Sequence, residues 1–278
     1  MLQMYQEAIA IVLDVGPSMT QNMYLVESLQ LIKMILQRKL FSESKDEIML
    51  ILFGTRTSKN QLFNGQEYRH ITVEKPLMQV NFELIQYVQN IDAHYKGQSA
   101  DFVDAVVVAM DELKRCTEGK KIYSSKRIIL LSNLMEKFND DQLDDILASL
   151  KESHFEFNYI GTCLENWESE SDKGKTHQQA NGEVNAQKTG LEVIRRILDE
   201  VDGDYFSLKQ LLPCLSFIQS RSVRPTAWKA NLKIGSSLEI PICLYTRHPA
   251  YIQHKISRSD NQGQPLVGYA YRLVIENN

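Results

Sequence analysis

The chain has 278 residues, 43% hydrophobic, 24% charged and 9% aromatic, with a formal net charge of −4. These values are globular, the length suffices for a sizeable core, and size alone suggests about two domains. The acidic balance argues against an autonomous binder of phosphate backbones, and no apolar run reaches the roughly 18 residues of a membrane span. Met1 to Glu7 lack the basic start and apolar stretch of a secretion signal. The four cysteines, Cys116, Cys163, Cys214 and Cys243, have neither CxxC spacing nor a histidine at zinc spacing, so reduced intracellular thiols are expected.

In chain order, Ala8 to Asp14 (AIAIVLD) is an apolar run suited to a central parallel strand, broken by Gly16 and Pro17. Gln21 to Leu40 carries Leu25, Leu29, Ile32, Ile35 and Leu36 at three- and four-residue steps, which predicts a helix. Glu47 to Phe53 is a second buried strand, stopped by Gly54. Residues 55–75, around Asn64-Gly65, predict an antiparallel hairpin at the sheet edge with Tyr68 to Val73 as its second arm. Phe82 to Ile91 and Ala100 to Leu113 are helical, the latter too long for an ordinary strand. Arg127 to Ser132 is a third buried strand. Asp140 to Leu150 is a helix with Asn139 as its N-cap, and Phe155 to Gly161 is the next strand. Glu165 to Gln187 is polar and predicts a flexible loop. An amphipathic helix, Leu191 to Val201, and a short strand, Asp204 to Phe206, follow. Alternating strands and helices predict an α/β fold, Rossmann-like, with a mostly parallel central sheet, helices on both faces and an antiparallel edge, over residues 1–212. Within 213–278, Trp228 to Ile234 and Ser237 to Tyr245 alternate around Gly235-Ser236 as a β-hairpin, and Tyr269 to Ile275 offers one more strand. Too few strands are present for independent stability, so this tail reads as a linker and an incomplete β-domain.

Chemistry is first expected at Asp14-Val15-Gly16-Pro17-Ser18, at the end of the first strand, where open α/β sheets bind ligands. The pattern resembles the metal-ion-dependent adhesion site of von Willebrand factor A domains, Asp-x-Ser-x-Ser, which gathers hard oxygens around Mg²⁺. Asp14 and Ser18 fit it. Gly16 removes one oxygen, Ser99 is offered from the loop 96–101, and Asn133 stands where the pattern has a second Asp. The site is degenerate, no metal or other cofactor is expected, and Asp14 is expected to hydrogen-bond the loop that follows it. Basic pairs at Lys114/Arg115, Lys120/Lys121 and Lys126/Arg127 read as solvated helix-end and loop charge.

The series of stretches IVLDVGPSM (11–19), KDEIMLILFGT (45–55), YRHITV (68–73), ADFVDA (100–105), GLEVI (190–194) and LKIGSSLEI (232–240) resembles the Ku family, specifically the larger subunit of its DNA-end-binding heterodimer. The resemblance runs from about residue 8 to 246 and implies a von Willebrand A-type domain followed by the entry into a β-barrel. It implies a nuclear protein of double-strand break repair by non-homologous end joining and of telomere maintenance. Its partners would be the smaller Ku subunit, end-joining factors with short Ku-binding motifs and, only in the full heterodimer, double-stranded DNA ends. It also implies a peptide-docking face carried by Leu62, Tyr68, Asp101, Asp104 and Val107. In physical terms Asp101, Asp104 and Glu112 place acid along one helix for Arg or Lys, and Tyr68 adds an amphipathic platform; the bland reading is a solvated helix face beside an edge tyrosine. A second mode in the family inserts an aromatic residue beneath the domain.

Two other classes stay open. An enzyme has little support: the chain has no GxxxxGK[ST] loop, no GxSxG and no evident Ser/His/Asp set, and its six histidines are dispersed and read as surface residues. A metal-dependent adhesion or scaffold A domain of another complex, including a transcription–repair or proteasomal one, is the alternative binding protein.

Overall fold

A computed structural model describes residues 6–20, 23–120, 122–161, 181–215, 228–234, 238–244, 258–259 and 265–266. The chain divides into two units, Met1–Ser220 and Arg221–Asn278. The first is built on a six-stranded sheet of order β3-β2-β1-β4-β5-β6. Its strands are β1 (Gln6–Asp14), β2 (Glu47–Phe53), β3 (Ile71–Gln79), β4 (Tyr123–Leu131), β5 (Phe155–Gly161) and β6 (Tyr205–Ser207). All pairings are parallel except β2 with β3, which forms the antiparallel edge. The α/β architecture is the one predicted.

β1 shows why its sequence has no polar face. Ala8, Ala10 and Val12 point into one apolar layer, and Ile9, Ile11 and Leu13 into the other. A strand has a side-chain period of two, so a strand covered on both faces needs apolar residues throughout. The first layer is closed by α4 (Phe102–Thr117), α5 (Leu143–Glu152) and α6 (Asn181–Glu200). The second is closed by α2 (Tyr24–Phe41), α3 (Phe82–Gln89) and α7 (Leu208–Leu215). A single helical turn, α1 (Pro17–Thr20), links β1 to α2. No helix among the described residues is long and apolar enough to cross a membrane.

Four local expectations are corrected. Residues 55–70 do not form a hairpin arm: β3 begins only at Ile71, and Tyr68 and His70 both have positive φ, 53° and 59°, which a strand cannot use. The edge is instead closed by Lys59, whose N–H donates to the Ile71 carbonyl at 2.9 Å and whose carbonyl accepts from Val73 N–H at 2.8 Å. Asn139 does not cap α5. Its side chain turns the chain locally, accepting from Asp141 N–H at 3.1 Å, and the helix starts at Leu143. Asn181 to Gln187 are helical, because α6 begins nearly three turns before the predicted Leu191; the earlier part of the predicted loop lies outside the described residues. His70 is half-buried rather than a surface residue, its ring donating to the Thr55 carbonyl at 2.9 Å.

In the second unit, β7 (Trp228–Ile234) and β8 (Leu238–Leu244) pair antiparallel as predicted, from Trp228 opposite Leu244 to Ile234 opposite Leu238. β9 (Arg258–Ser259) and β10 (Pro265–Leu266) are a further short antiparallel pair. The predicted strand Tyr269 to Ile275 lies outside the described residues, as does Cys163; Cys116 and Cys214 are free thiols.

Three loops meet at the head of the sheet through glycines. A Cβ on Gly97 would lie 2.3 Å from both the Gly54 and Val15 carbonyl oxygens, and one on Gly54 2.5 Å from Gly16 N. Gln98 N–H donates to the Gly54 carbonyl at 2.8 Å, and Val15 N–H to the Phe53 carbonyl at 2.8 Å. Backbone faces backbone there, with no space for a methyl group. Gly97→Ala should therefore destabilise the domain by about 2 kcal/mol or more, because backbone has to move rather than a side chain. Thermal and urea unfolding would measure this, and a stability within about 0.5 kcal/mol of the parent would show the crossing to be loose.

Candidate functional site

Two places were singled out by sequence: the end of β1 and the N-terminal half of α4 with the loop before β3. At the first, Asp14 is 1% exposed. Its Oδ1 accepts from Gly16 N–H at 2.8 Å and its Oδ2 from the Ser132 hydroxyl at 2.6 Å. The expected bond to the following loop is thus present. Ser18 donates its hydroxyl to Asn133 Oδ1 at 3.1 Å, and Asn133 Oδ1 also accepts from Met135 N–H at 3.2 Å. Asp14, Gly16, Ser18 and Asn133 are therefore brought together, whereas Ser99 is exposed on the neighbouring loop and enters none of these bonds.

The donor set suits a polar knot better than a divalent cation. Both Asp14 oxygens face hydrogen-bond donors, Gly16 supplies no side-chain oxygen, and Asn133 brings no charge. The buried Asn133 Nδ2 has no partner among the described residues, a donor where a cation requires acceptors. No group of three or more His, Cys, Asp or Glu side chains able to hold a metal occurs among the described residues. Glu136, which the sequence did not single out, lies over the knot: it accepts from Ser18 N–H at 3.1 Å. Burial pushes the Asp14 carboxyl up to about 7; its bonds to Ser132 and Gly16 oppose this, and the charge of Glu136 adds to it.

The second place lies beside the antiparallel edge. Leu62, Tyr68 and Val107 are half-buried and packed on the first core layer. The loop carrying Leu62 and Tyr68 is fixed from within. Asn60 Nδ2 donates to the Tyr68 and Ile71 carbonyls at 3.0 and 2.9 Å, and Asn64 Oδ1 accepts from Gln66 and Glu67 N–H at 3.0 and 2.9 Å. Burial raises the Tyr68 phenol pKa, and the charges of Asp104, Glu67 and Asp111 raise it further. Burial, then Glu67, likewise raises Asp104. The charges of three carboxylates therefore act on one phenol, and none of the three is in an ion pair among the described residues.

Two predicted members behave differently. Asp101 is the N-cap of α4: Oδ1 accepts from Val103 N–H at 2.7 Å and Oδ2 from Asn139 N–H at 2.6 Å. Burial raises its carboxyl to about 6, against those bonds. Its oxygens are committed to backbone, so it starts the helix that carries the face. Glu112 is not part of an exposed acidic stripe: it is buried, 6% exposed, and pairs with Arg115. Asp111 takes that place, because seven residues from Asp104 is nearly two full turns and returns to the same face. Glu67 was legible only as part of an edge loop.

Asp14 allows a direct test at the first place. Its folded pKa lies above the unfolded value of 3.8, so its favourable contribution is complete below about pH 4 and declines as pH rises through about 7. The shift corresponds to a loss on the order of 4 kcal/mol. Asp14→Asn keeps an acceptor for Gly16 and removes the titration. Between about pH 4.5 and 7.5 the parent should lose stability relative to this variant, as read by urea unfolding at several pH values. Parallel pH profiles for the two proteins would show that Asp14 carries its charge at no cost.

Comparison with known proteins agrees with this architecture. Residues 8–190 match the family described as the Ku70/Ku80 N-terminal alpha/beta domain. The chain is 32% identical over 260 residues to X-ray repair cross-complementing protein 5 of Xenopus laevis, across 86% of this chain and 36% of that protein. It is 29% identical to the ATP-dependent DNA helicase 2 subunit KU80 of Oryza sativa subsp. japonica, across 98% of this chain and 39% of that protein. The chain thus spans little more than a third of the length of these curated relatives. Among solved structures, the SpRpn10 VWA domain aligns with a TM-score of 0.49 at 15% identity, covering 76% of this chain and 93% of that one. The chain belongs to the Ku70/Ku80 N-terminal alpha/beta domain family, and its relatives within it are Ku80 subunits.

Proposed function

We propose that this chain is the recruiting region of a Ku large subunit in double-strand break repair, and that it docks short basic peptides on the face made by Leu62, Tyr68, Asp104 and Val107. Glu67 and Asp111 extend that face, and Asp101 positions its helix. The observation that carries the reading is the half-buried apolar ground of Leu62, Tyr68 and Val107 packed on the core beside α4, with the charges of Asp104, Glu67 and Asp111 acting on the Tyr68 phenol. Asp46 with Lys39, Glu156 with Arg127 and Glu200 with Lys151 are ion pairs, whereas Asp104 and Glu67 are in none among the described residues. These acids lie beside apolar ground, which suits an arginine or lysine together with an aromatic or aliphatic side chain. The similarity to the Xenopus repair cross-complementing protein supports the setting.

In the same reading the smaller Ku subunit and DNA ends belong to the full heterodimer, working in the nucleus, and telomere maintenance follows from the same assembly. Sequence-independent DNA binding draws chiefly on phosphate neutralisation, and a chain of net charge −4 is poorly suited to hold an end alone. A metal-dependent adhesion function is disfavoured by the donor set around Asp14.

The test is calorimetric titration of the chain with a peptide holding two or three Arg or Lys residues and one Trp. Asp104→Lys combined with Asp111→Lys should weaken binding about thirty-fold or more, at roughly 1 kcal/mol per reversed charge. Both side chains lie on the helix surface, so circular dichroism should show the fold intact. Unchanged affinity would reject this face.

A further inference from the structure

The basic pairs read from sequence as ordinary surface charge do not all behave that way. A cleft of about 580 Å³ lies at the C-terminal end of α4, lined by Asp111, Lys114, Arg115, Thr117, Glu118 and Lys126. Lys114 and Lys126 come from different elements, the last turn of α4 and the first half of β4. Lys114 Nζ donates to the Ser149 hydroxyl at 2.7 Å, and Lys126 Nζ stands 4.9 Å above the centre of the Phe155 ring. Neither ammonium is in an ion pair among the described residues, whereas Arg115 is paired with Glu112. Burial and the neighbouring charge of Lys114 together lower the Lys126 pKa. Two ammonium groups thus share one recess and repel each other, and Lys114 in the last turn of α4 offsets the negative end of the helix dipole. The carboxylates of Asp111 and Glu118 line the same recess, so the favoured ligand is a single compact anion set between the two lysines, not an extended polyanion.

Asp111 lines this cleft and stands nearly two turns from Asp104 on the same face of α4, so the two places adjoin along one helix. We propose that the cleft is a subsite for one anionic side chain, phosphorylated or carboxylic, on the same peptide that docks along α4. The inference rests on the docking reading above. It defines a ligand of mixed charge, cationic opposite Asp104 and Asp111 and anionic opposite Lys114 and Lys126. Asp104 and Lys114 are ten positions apart on one helix, about 15 Å of rise. An extended peptide covers that distance in about four to five residues. A duplex DNA is disfavoured as the source of the anion, because its backbone would have to pass the unpaired acids of the same helix.

The test uses the full chain and four peptides, each with the basic–aromatic segment and either serine or phosphoserine, placed about five residues before or after it. One phosphoserine placement should tighten binding about ten-fold over its serine partner. Lys114→Gln with Lys126→Gln should abolish that gain and leave the serine peptides unaffected. Asp104→Lys with Asp111→Lys should weaken all four. No gain at either placement, or a gain that survives in the lysine variant, overturns the subsite. Failure of the docking reading shows separately, as absent or charge-insensitive binding of the serine peptides. In that event, NMR titration with O-phosphoserine reads the cleft alone: shifts at Lys114 and Lys126 support an anion site, and none rejects it. A short DNA duplex that shifts the same signals at lower concentration than the phosphopeptide would assign the cleft to nucleic acid and overturn the peptide assignment.

Discussion

The backbone crossing of Gly16, Gly54 and Gly97 sets most of what this domain presents to its surroundings. A parallel sheet brings the ends of β1 and β2 side by side, and the loops that leave them need a way past one another. Removing three side chains lets the 97–98 backbone press directly on the loops at Val15 and Gly54. That contact fixes the residues just before Asp101. Asp101 then caps α4 with one oxygen and binds Asn139 N–H with the other, tying the helix start to the loop after β4. The surface of α4 is thereby held in place from inside, by groups that are not themselves on the surface.

The same arrangement makes the end of β1 a self-contained polar knot. Asp14 remains at the strand end, where an isolated carboxylate would be costly. Its two oxygens are met by Gly16 N–H and the Ser132 hydroxyl, and its charge is reduced by a pKa near neutrality. Gly16 has a second consequence beyond the missing oxygen. A Cβ there would come within 2.9 Å of Asp14 Oδ1, so the residue that deprives the site of a ligand also permits the tight turn that satisfies Asp14 internally. Ser132 completes the exchange, because its hydroxyl both donates to Asp14 and accepts from Leu134 N–H at 3.0 Å, where the chain adopts a positive φ of 57°.

Much of this was legible in the sequence because the sheet is buried on both faces. Continuous apolar runs such as AIAIVLD and EIMLILF have few alternatives to central strands, and the amphipathic helices around them declare their inner faces by spacing. The knot around Asp14 could be anticipated because its members come from the ends of those strands. What failed were features set by single hydrogen bonds or by tertiary contact. The 55–70 segment has the composition of a hairpin, yet Asn60 and Asn64 bind its backbone into loops, and Tyr68 reaches the face from a left-handed conformation rather than from a strand. Glu112 and Asp111 are adjacent acids at the end of one helix, and only their angular position decides which is buried. Asp104 and Asp111 repeat at seven, a signal present in the sequence, whereas Glu67 reaches the same phenol across the fold and could not have been paired with it by spacing.

The distribution of charge then carries more information than its sum. A net charge of −4 says only that the chain repels other acids at long range. Some acids and bases pair across strands and helices, Asp46 with Lys39 and Glu156 with Arg127 among them, which leaves little for a partner to gain there. Along α4 acid and base are instead segregated, with acid near Tyr68 and then two lysines lining a recess. Asp104, Asp111 and Lys114 stand on one helix whose opposite face is core, with Phe102, Val103, Val106, Ala109, Met110 and Leu113 all buried, while Glu67 comes from the loop before β3 and Lys126 from β4. Leaving charges unmatched on an immobile support costs the free protein some stability and preserves their interaction energy for a ligand. A flexible loop could let such charges find one another, but a packed helix cannot. The proposed specificity for a short segment of mixed charge therefore depends as much on the rigidity of α4 as on the residues it exposes.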